Sequence, residues 1–157
     1  MRKIRIELPD DDVCVTASLL EDQAPRTCEI IWSHLPIKGS LFHGQWSGPE
    51  VVLLLDATAF RVEPENLIHR GVLPGDVVYW HGKGGEWVGQ SEDISEIAFF
   101  YGRGAVPQMM QGPVPVNLFA RIDGPLDAFV GACMRTRMEG RKRVVLSQAE
   151  ASDFARS

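Results

Sequence analysis

Two residues that can carry out acid–base chemistry lie close together in an otherwise apolar part of the chain. His43 and Glu50 flank the turn Ser47-Gly48-Pro49, and the aromatic Trp46 lies beside them. An imidazole exchanges protons near neutral pH, and a carboxylate can hold it in one orientation. We therefore predict His43 as a candidate general base and Glu50 as its partner. The alternative interpretation is a surface histidine on an outward strand face.

Aromatic residues flank a glycine-rich loop further along the chain. Trp80 precedes this loop, Trp87 lies within it, and Tyr101 follows the next apolar segment. Aromatic walls combined with a few polar groups are typical of small-molecule pockets. Trp46, Trp80 and Tyr101 are accordingly candidate ligand-binding residues, with ordinary core and rim packing as the alternative.

One cation completes the candidate site. Arg103 lies between two glycines, which allow a ligand or backbone to approach closely. A guanidinium suits bidentate contact with a carboxylate, and a structural salt bridge is the alternative role. A register shift of one residue would turn any strand residue to the opposite face. We predict that six side chains converge on one cavity for a small polar or anionic ligand: His43, Trp46, Glu50, Trp80, Tyr101 and Arg103.

The sequence carries none of the common metal or cofactor patterns. Its four histidines lack metal-ligand spacing, and the glycine-rich stretch from His81 to Gly85 lacks the spacing of a phosphate-binding loop. No Gly-x-Ser-x-Gly nucleophile motif is present. We expect neither a metal nor a cofactor.

Charge and composition narrow the class of partner. The formal net charge of -5 disfavours nucleic acid, whose phosphates require clustered Lys and Arg. One basic cluster, from Arg135 to Arg143, is interpreted as the cationic end of a helix, with an anionic partner as the alternative. No apolar run is long enough for a membrane helix or a signal peptide, and the three cysteines form no paired motif. We expect a cytoplasmic protein with reduced thiols and a small-molecule ligand, and assembly into a homo-oligomer is left open.

The periodicity of apolar residues predicts a mostly β domain that spans residues 1–157. Period-two patterns and glycine- or proline-rich turns divide the chain into many short strands, which favours a barrel or sandwich. Helical spacing predicts one helix from Ala24 to Leu35 and a second from Pro125 to Met138. Ser147 and Glu150 fit the capping box of a short terminal helix. The predicted strands are 3–8, 13–20, 40–46, 50–55, 76–80, 95–101, 116–122 and 143–146.

The N-terminal part of the chain resembles the cyclophilins. A strand ends at Leu20-Glu21-Asp22, and Ala24-Pro25-Arg26-Thr27 then opens a helix, as in that family. Gly39-Ser40-Leu41-Phe42-His43 is similar to the family's Phe-His-Arg strand. The remainder is closest to a bacterial branch of cyclophilin-like proteins of unknown function, through Gly75-Asp76 before an aromatic strand and Gly102-Arg103 after another. The resemblance implies a closed antiparallel barrel of about eight strands with two main helices.

The resemblance fails at one functional position. Proline isomerisation in cyclophilins relies on the arginine after Phe-His, and here that residue is Gly44. We therefore expect little or no prolyl isomerase activity and leave open whether the chain is an enzyme. Two functions remain: binding, or transformation, of a small polar or carboxylated molecule at the barrel mouth, and peptide binding with weak isomerase activity. The first needs a closed, shaped pocket, and the second needs an open groove on the flank of the barrel.

Overall fold

A computed structural model describes residues 1–150 and contains a closed antiparallel barrel of eight strands. This confirms the predicted fold of a mostly β barrel with two main helices. The terminal helix predicted beyond Ser147 lies outside the described residues. In order around the barrel, the strands are β1 (Lys3–Leu8), β10 (Lys142–Gln148), β3 (Ile37–His43), β4 (Glu50–Leu55), β6 (Ile94–Phe100), β5 (Asp76–Gly82), β9 (Asn117–Ile122) and β2 (Val13–Leu19). A short hairpin of two strands with two residues each, β7 (Gln108–Met109) and β8 (Gly112–Pro113), lies outside the barrel, in a stretch for which the sequence predicts no strand.

Alternation of side chains gives the barrel two packed faces. The inner face forms the larger core, in which Leu41, Leu53, Ile97 and Phe99 are almost fully buried. On the outer face of β4, β6, β5 and β9, a second apolar cluster packs beneath residues 101–116 and 68–72. Because both faces of these strands are covered, side chains reach solvent mainly where the strands end.

The two helices close opposite ends of the barrel. Helix α1 (Pro25–Ser33) lies at the start of β9, where the Cys28 thiol contacts the backbone oxygen of Phe119. Helix α2 (Asp127–Glu139) packs against β2, β3 and β4, and its Phe129 contacts the ring of Phe99 inside the barrel. Neither helix, in the part of the chain that the structure describes, is long and apolar enough to cross a membrane.

A distant carboxylate caps helix α1. The residue before the helix, Ala24, has no side chain that can accept from the first backbone N–H groups. Glu65 supplies the acceptor: its oxygens lie 2.8 Å from the backbone N of Arg26 and 2.9 Å from that of Thr27. The loop that contains Glu65 is thereby fixed against the start of the helix.

Strand β3 differs from its predicted bounds. The sequence predicts a strand from Ser40 to Trp46, whereas the observed strand is Ile37–His43. The antiparallel pairing of β3 with β4 ends where His43 lies opposite Val51. Gly44 to Pro49 therefore form a loop, and Trp46 lies in it with 44% of its surface exposed.

An ion cluster at the turn that joins β1 to β2 anchors α2. The carboxylate of Asp11 contacts Lys142 at 2.8 Å and accepts hydrogen bonds from Arg135 of α2. Lys142 also pairs with Glu139, at the end of the helix. Burial opposes the charged form of Asp11, but hydrogen bonds from Lys142 and Arg135 outweigh it, so the pKa of Asp11 lies below its ordinary value.

We predict that Asp11→Asn destabilises the protein by about 3 kcal/mol, because it removes the buried carboxylate shared by Lys142 and Arg135 and leaves the buried ammonium of Lys142 only the half-exposed Glu139. The side chain of Lys142 is only 7% exposed. Denaturant unfolding measures the loss. Asp12→Asn is the matched control, because Asp12 is exposed and its φ of 54° is one that asparagine tolerates. We expect it to change the free energy of unfolding by less than about 0.5 kcal/mol. Equal losses in the two variants would contradict the assignment.

Candidate functional site

A histidine and a tyrosine form a hydrogen-bonded pair at the end of the barrel that α2 closes. His43 is the last residue of β3 and points inward, because it follows the inward-facing Leu41 by two residues. Tyr101 follows β6 directly and shares the inner face with Phe99. His43 Nε2 lies 2.6 Å from the Tyr101 hydroxyl, and the two rings meet edge to face.

The hydrogen bonds of His43 assign its protons. Nδ1 lies 2.7 Å from the backbone oxygen of Gly44, an acceptor, so Nδ1 carries hydrogen. In the neutral imidazole Nε2 is then an acceptor and takes the hydrogen of Tyr101. Both ring nitrogens of His43 are therefore occupied by the protein. His43 can exchange a proton with a ligand only through the hydroxyl of Tyr101.

Tyr101 keeps its proton at neutral pH. Burial raises the pKa of its hydroxyl, the nearby thiol of Cys133 adds to the effect, and the positive charge of Arg137 partly opposes it. The Tyr101 side chain is only 7% exposed. A protonated hydroxyl in this position can donate to one group and accept from another, which suits it to relay a proton.

This pair opens onto a cavity of about 590 Å³. Arg137, near the end of α2, supplies the cavity's cation. Its side chain is exposed, and no ion pair or hydrogen bond joins it to any of residues 1–150. The lining residues are His43, Gly44, Gln45, Gly48, Pro49, Tyr101 and Arg137.

Glu50 lies on the other face of the barrel wall. Its neighbour Val51 points inward, so Glu50 points outward, and no hydrogen bond joins it to His43 within residues 1–150. The expected orientation of His43 by Glu50 is wrong, and Tyr101 and the backbone of Gly44 orient the imidazole instead. The cause is the strict alternation of facing along β4.

The environment of Glu50 favours its neutral form. Burial, followed by the negative charge of Glu96, raises the pKa of its carboxyl to about 8, and hydrogen bonding with Ser47 opposes the shift only in part. The carboxyl also fills the space beside Gly44, where a Cβ atom would overlap Glu50 Oε2. Glu50 therefore contributes to the wall behind the cavity.

The other predicted residues lie apart from the pair. Trp80 lines a second cavity at the opposite end of the barrel, and Trp46 is exposed in the loop after β3. Arg103 is exposed and lines neither cavity. The structure thus brings only His43 and Tyr101 together at one cavity. Ligand-binding roles for Trp46, Trp80 and Arg103 stay predictions.

Sequence reasoning missed the cation of this cavity, although its signal was present. The basic cluster from Arg135 to Arg143 contains Arg137, but the sequence could not show which members are paired. Arg135 and Lys142 bind Asp11, and Arg143 binds Asp10. The guanidinium of Arg141 lies 5.3 Å from the ring centre of Phe42. Arg137 is the member that lines the cavity, and within residues 1–150 it has no ion pair.

Comparison with known proteins places the chain in a family. Residues 6–148 match the family described as "Protein of unknown function (DUF3830)", and the chain belongs to that family. A search of curated proteins found no match. The fold is similar to the hypothetical protein AF2241 from Archaeoglobus fulgidus, with a TM-score of 0.60 and 22% identity over 94% of this chain and 95% of that one. It is also similar to McbB, whose structure was solved in complex with tryptophan. The TM-score is 0.65, with 22% identity over 94% of this chain. This chain spans 45% of the length of McbB.

We predict that Glu50 makes the protein less stable as the pH rises. The unfolded chain ionises this carboxyl near its ordinary pKa of 4.5, whereas the folded protein holds the proton to about 8. Between these pH values the folded state binds more protons than the unfolded state. Each unit by which the pH rises therefore lowers the free energy of unfolding by about 1 kcal/mol.

Denaturant unfolding at several pH values tests this slope. Glu50→Gln should become more stable than wild type as the pH rises from about 5 to about 8, and the difference should then level off. Glu92→Gln, an exposed control, should follow wild type throughout. A Glu50→Gln stability that runs parallel to wild type would refute the assignment. Glu96, whose pKa burial raises to about 7, leaves a smaller slope of the same sign in the variant.

Proposed function

We propose that this member of the DUF3830 family binds a small carboxylated molecule in the cavity beneath α2. The observation that carries the proposal is the arrangement of Arg137, a cation with no carboxylate partner in the described chain, at the same cavity as the buried His43–Tyr101 pair. A guanidinium binds a carboxylate through two parallel hydrogen bonds. Arg137 takes the role that the sequence assigned to Arg103.

The size and chemistry of the cavity support a small ligand. Its volume of about 590 Å³ lies within the range of about 300–1,000 Å³ that small-molecule sites occupy. Tyr101 and Pro49 offer apolar surface, and Gln45 offers an amide that can both donate and accept. The backbone at Gly44 and Gly48 carries no side chain that would restrict entry.

The His43–Tyr101 pair couples binding of a carboxylate to uptake of a proton. With neutral His43, the Tyr101 hydrogen points to Nε2, and only the oxygen lone pairs face the cavity. With protonated His43, Nε2–H donates to Tyr101, and Tyr101 turns its own hydrogen toward the ligand. A carboxylate therefore favours the imidazolium. Among residues 1–150, the titratable groups near this pair are Arg137 and the thiol of Cys133 on α2 and, behind the wall, Glu50, whose neutral form burial favours.

The solved neighbour fits this class of ligand. McbB is described in complex with tryptophan, an amino acid that carries a carboxylate on an aromatic body. At 22% identity the likeness shows the fold alone, so tryptophan enters here as one probe among several small carboxylates.

We also propose that the barrel is cyclophilin-like, because the hairpin, the helix after Ala24 and the strand that ends in Phe42-His43 occur in the order found in cyclophilins. The cavity at His43 is open to solvent, so its shape leaves peptide binding as the alternative, and the cation of Arg137 is the feature that favours a small carboxylated molecule. Glu50 fills the space beside Gly44, where cyclophilins need arginine.

We predict that Arg137→Ala weakens binding of a carboxylate ligand by about tenfold to a hundredfold, because it removes a charged hydrogen-bond donor. A panel of small carboxylic acids, including tryptophan, is screened by thermal shift, and hits are measured by calorimetry. Tyr101→Phe should also weaken binding and abolish proton uptake, read as the dependence of the heat on buffer ionisation enthalpy.

Two arginine variants make this test specific. Arg70→Ala removes the same charge from an exposed site that lines neither cavity, and binding should be unchanged. Arg103→Ala separates the two candidate cations: loss of binding there, with Arg137→Ala unaffected, would show that the sequence-based assignment is correct and the proposal wrong. A carboxylate panel without a single hit would refute the proposed function.

We predict that the protein does not accelerate proline isomerisation at a cyclophilin-like rate. Loss of a charged transition-state donor costs on the order of 3 kcal/mol, or about a hundredfold in rate. Arg26 pairs with Glu65, Arg61 lines the opposite cavity and Arg103 lines neither cavity, so none of these three replaces it. Arg137 does line the cavity of His43 and Gly44, and its contribution is tested by assaying Arg137→Ala beside wild type. A protease-coupled assay on prolyl peptides measures the rate, and turnover at the level of a cyclophilin control would contradict the prediction.

A further inference from the structure

A second cavity, of about 320 Å³, lies at the end of the barrel that α1 closes. It is separate from the carboxylate cavity, because the two share no lining residue. Its apolar walls come from the end of β5, the glycine-rich loop and the segment after Phe60, and they include Trp80, Trp87, Val62 and Leu67. His81, the last inward-facing residue of β5, also lines it.

The hydrogen bonds of His81 fix its tautomer. Ser95 lies opposite His81 across the β5–β6 pair, and its hydroxyl lies 2.5 Å from the backbone oxygen of Phe60, which can only accept. The single hydroxyl hydrogen of Ser95 is used in that bond. His81 Nδ1, 2.8 Å from Ser95 Oγ, must therefore donate to it. In the neutral imidazole the lone pair is then on Nε2.

Nε2 of His81 is an unmatched acceptor. The atom is shielded from solvent, and within residues 1–150 it has no hydrogen-bond partner. Oδ2 of Asp93 lies 3.7 Å from Nε2, beyond hydrogen-bond distance. Asp93 accepts from the backbone N of Gly84, and this bond holds the pKa of its carboxyl below the ordinary value, so Asp93 is ionised and has no hydrogen to donate. A buried acceptor without a donor is costly, and a ligand N–H would satisfy it.

The rest of the cavity favours a flat ligand without net charge. Trp87 is 40% exposed and offers ring surface to a ligand, whereas Trp80, which is 7% exposed, contributes only the small part of its ring that lines the cavity. Gly82 leaves room for the Trp80 ring, since a Cβ atom there would overlap it. The charged residues of the lining are balanced, with Arg61 and Lys83 against Glu63 and Glu86.

We propose that this second cavity binds an uncharged planar heteroaromatic molecule whose ring N–H donates to Nε2 of His81. Trp80 and Trp87 contact the ring. The site stands independently of the carboxylate site, because it uses other residues at the other end of the barrel.

The test uses a matched pair of probes, benzimidazole and 1-methylbenzimidazole, at about pH 8, where histidine is ordinarily neutral. The two differ in the one hydrogen that Nε2 would accept. Titration followed by ¹H–¹⁵N spectra should show benzimidazole binding about fivefold to tenfold more tightly, the value of one hydrogen bond. The indole N–H signals of Trp80 and Trp87 should shift, whereas those of Trp32 and Trp46 should not.

His81→Asn isolates the proposed atom. Asparagine keeps a donor near the position of Nδ1 for Ser95 and removes Nε2, so the fold should be retained and the preference for benzimidazole over its methylated form should fall to about one. Absence of benzimidazole binding, equal binding of both probes to wild type, or a shift of Trp46 in place of Trp87 would overturn the proposal. These wild-type outcomes decide it even where His81→Asn does not fold.

Discussion

The structure depends on one geometric constraint, which is that every second residue of a closed barrel must point inward. Inward residues fill the core, and over β4, β6, β5 and β9 the outward residues are covered as well. A polar side chain in these strands is buried whichever way it faces, unless it lies near an end. The constraint explains why His43 and His81, each at or near a strand end on the inner face, reach cavities. It also explains why Glu50, one residue from an inward Val51, lies in the opposite wall with a raised pKa.

The sequence predicts the architecture well because the spacing of apolar residues differs between strands and helices. Period-two patterns located the first two barrel strands, apolar segments between glycine- or proline-rich turns located the other six, and helical spacing located α1 and α2 to within two residues at each end. The same patterns failed at the end of β3, because a strand stops where its partner stops. Strand β3 ends at His43 because its pairing with β4 ends there, opposite Val51. This end depends on the partner strand, which residues 44–46 do not reveal.

The candidate site was only partly predictable for a related reason. His43 and Tyr101 were identified by residue type, but their contact at 2.6 Å joins strands that are 58 positions apart in sequence. The sequence cannot tell a paired cation from an unpaired one either. Arg137 differs from Arg135 only in what lies beside it, since Asp11 reaches Arg135 and not Arg137. Such distinctions depend on tertiary distances, which no local pattern encodes.

The strand order has a consequence for how the chain assembles during synthesis. Strand β10, near the C-terminal end of the described chain, lies between β1 and β3, which are among the first strands to be made. Until residues 142–148 have left the ribosome, β1 and β3 each expose an edge of unpaired backbone N–H and C=O groups. The nine-residue helix α1 is also too short to be stable alone, and the hydrogen bonds that cap its start form only after Glu65 has been made. The barrel therefore cannot close until β10 has been made, and until then the open strand edges are the surface that a chaperone would need to cover.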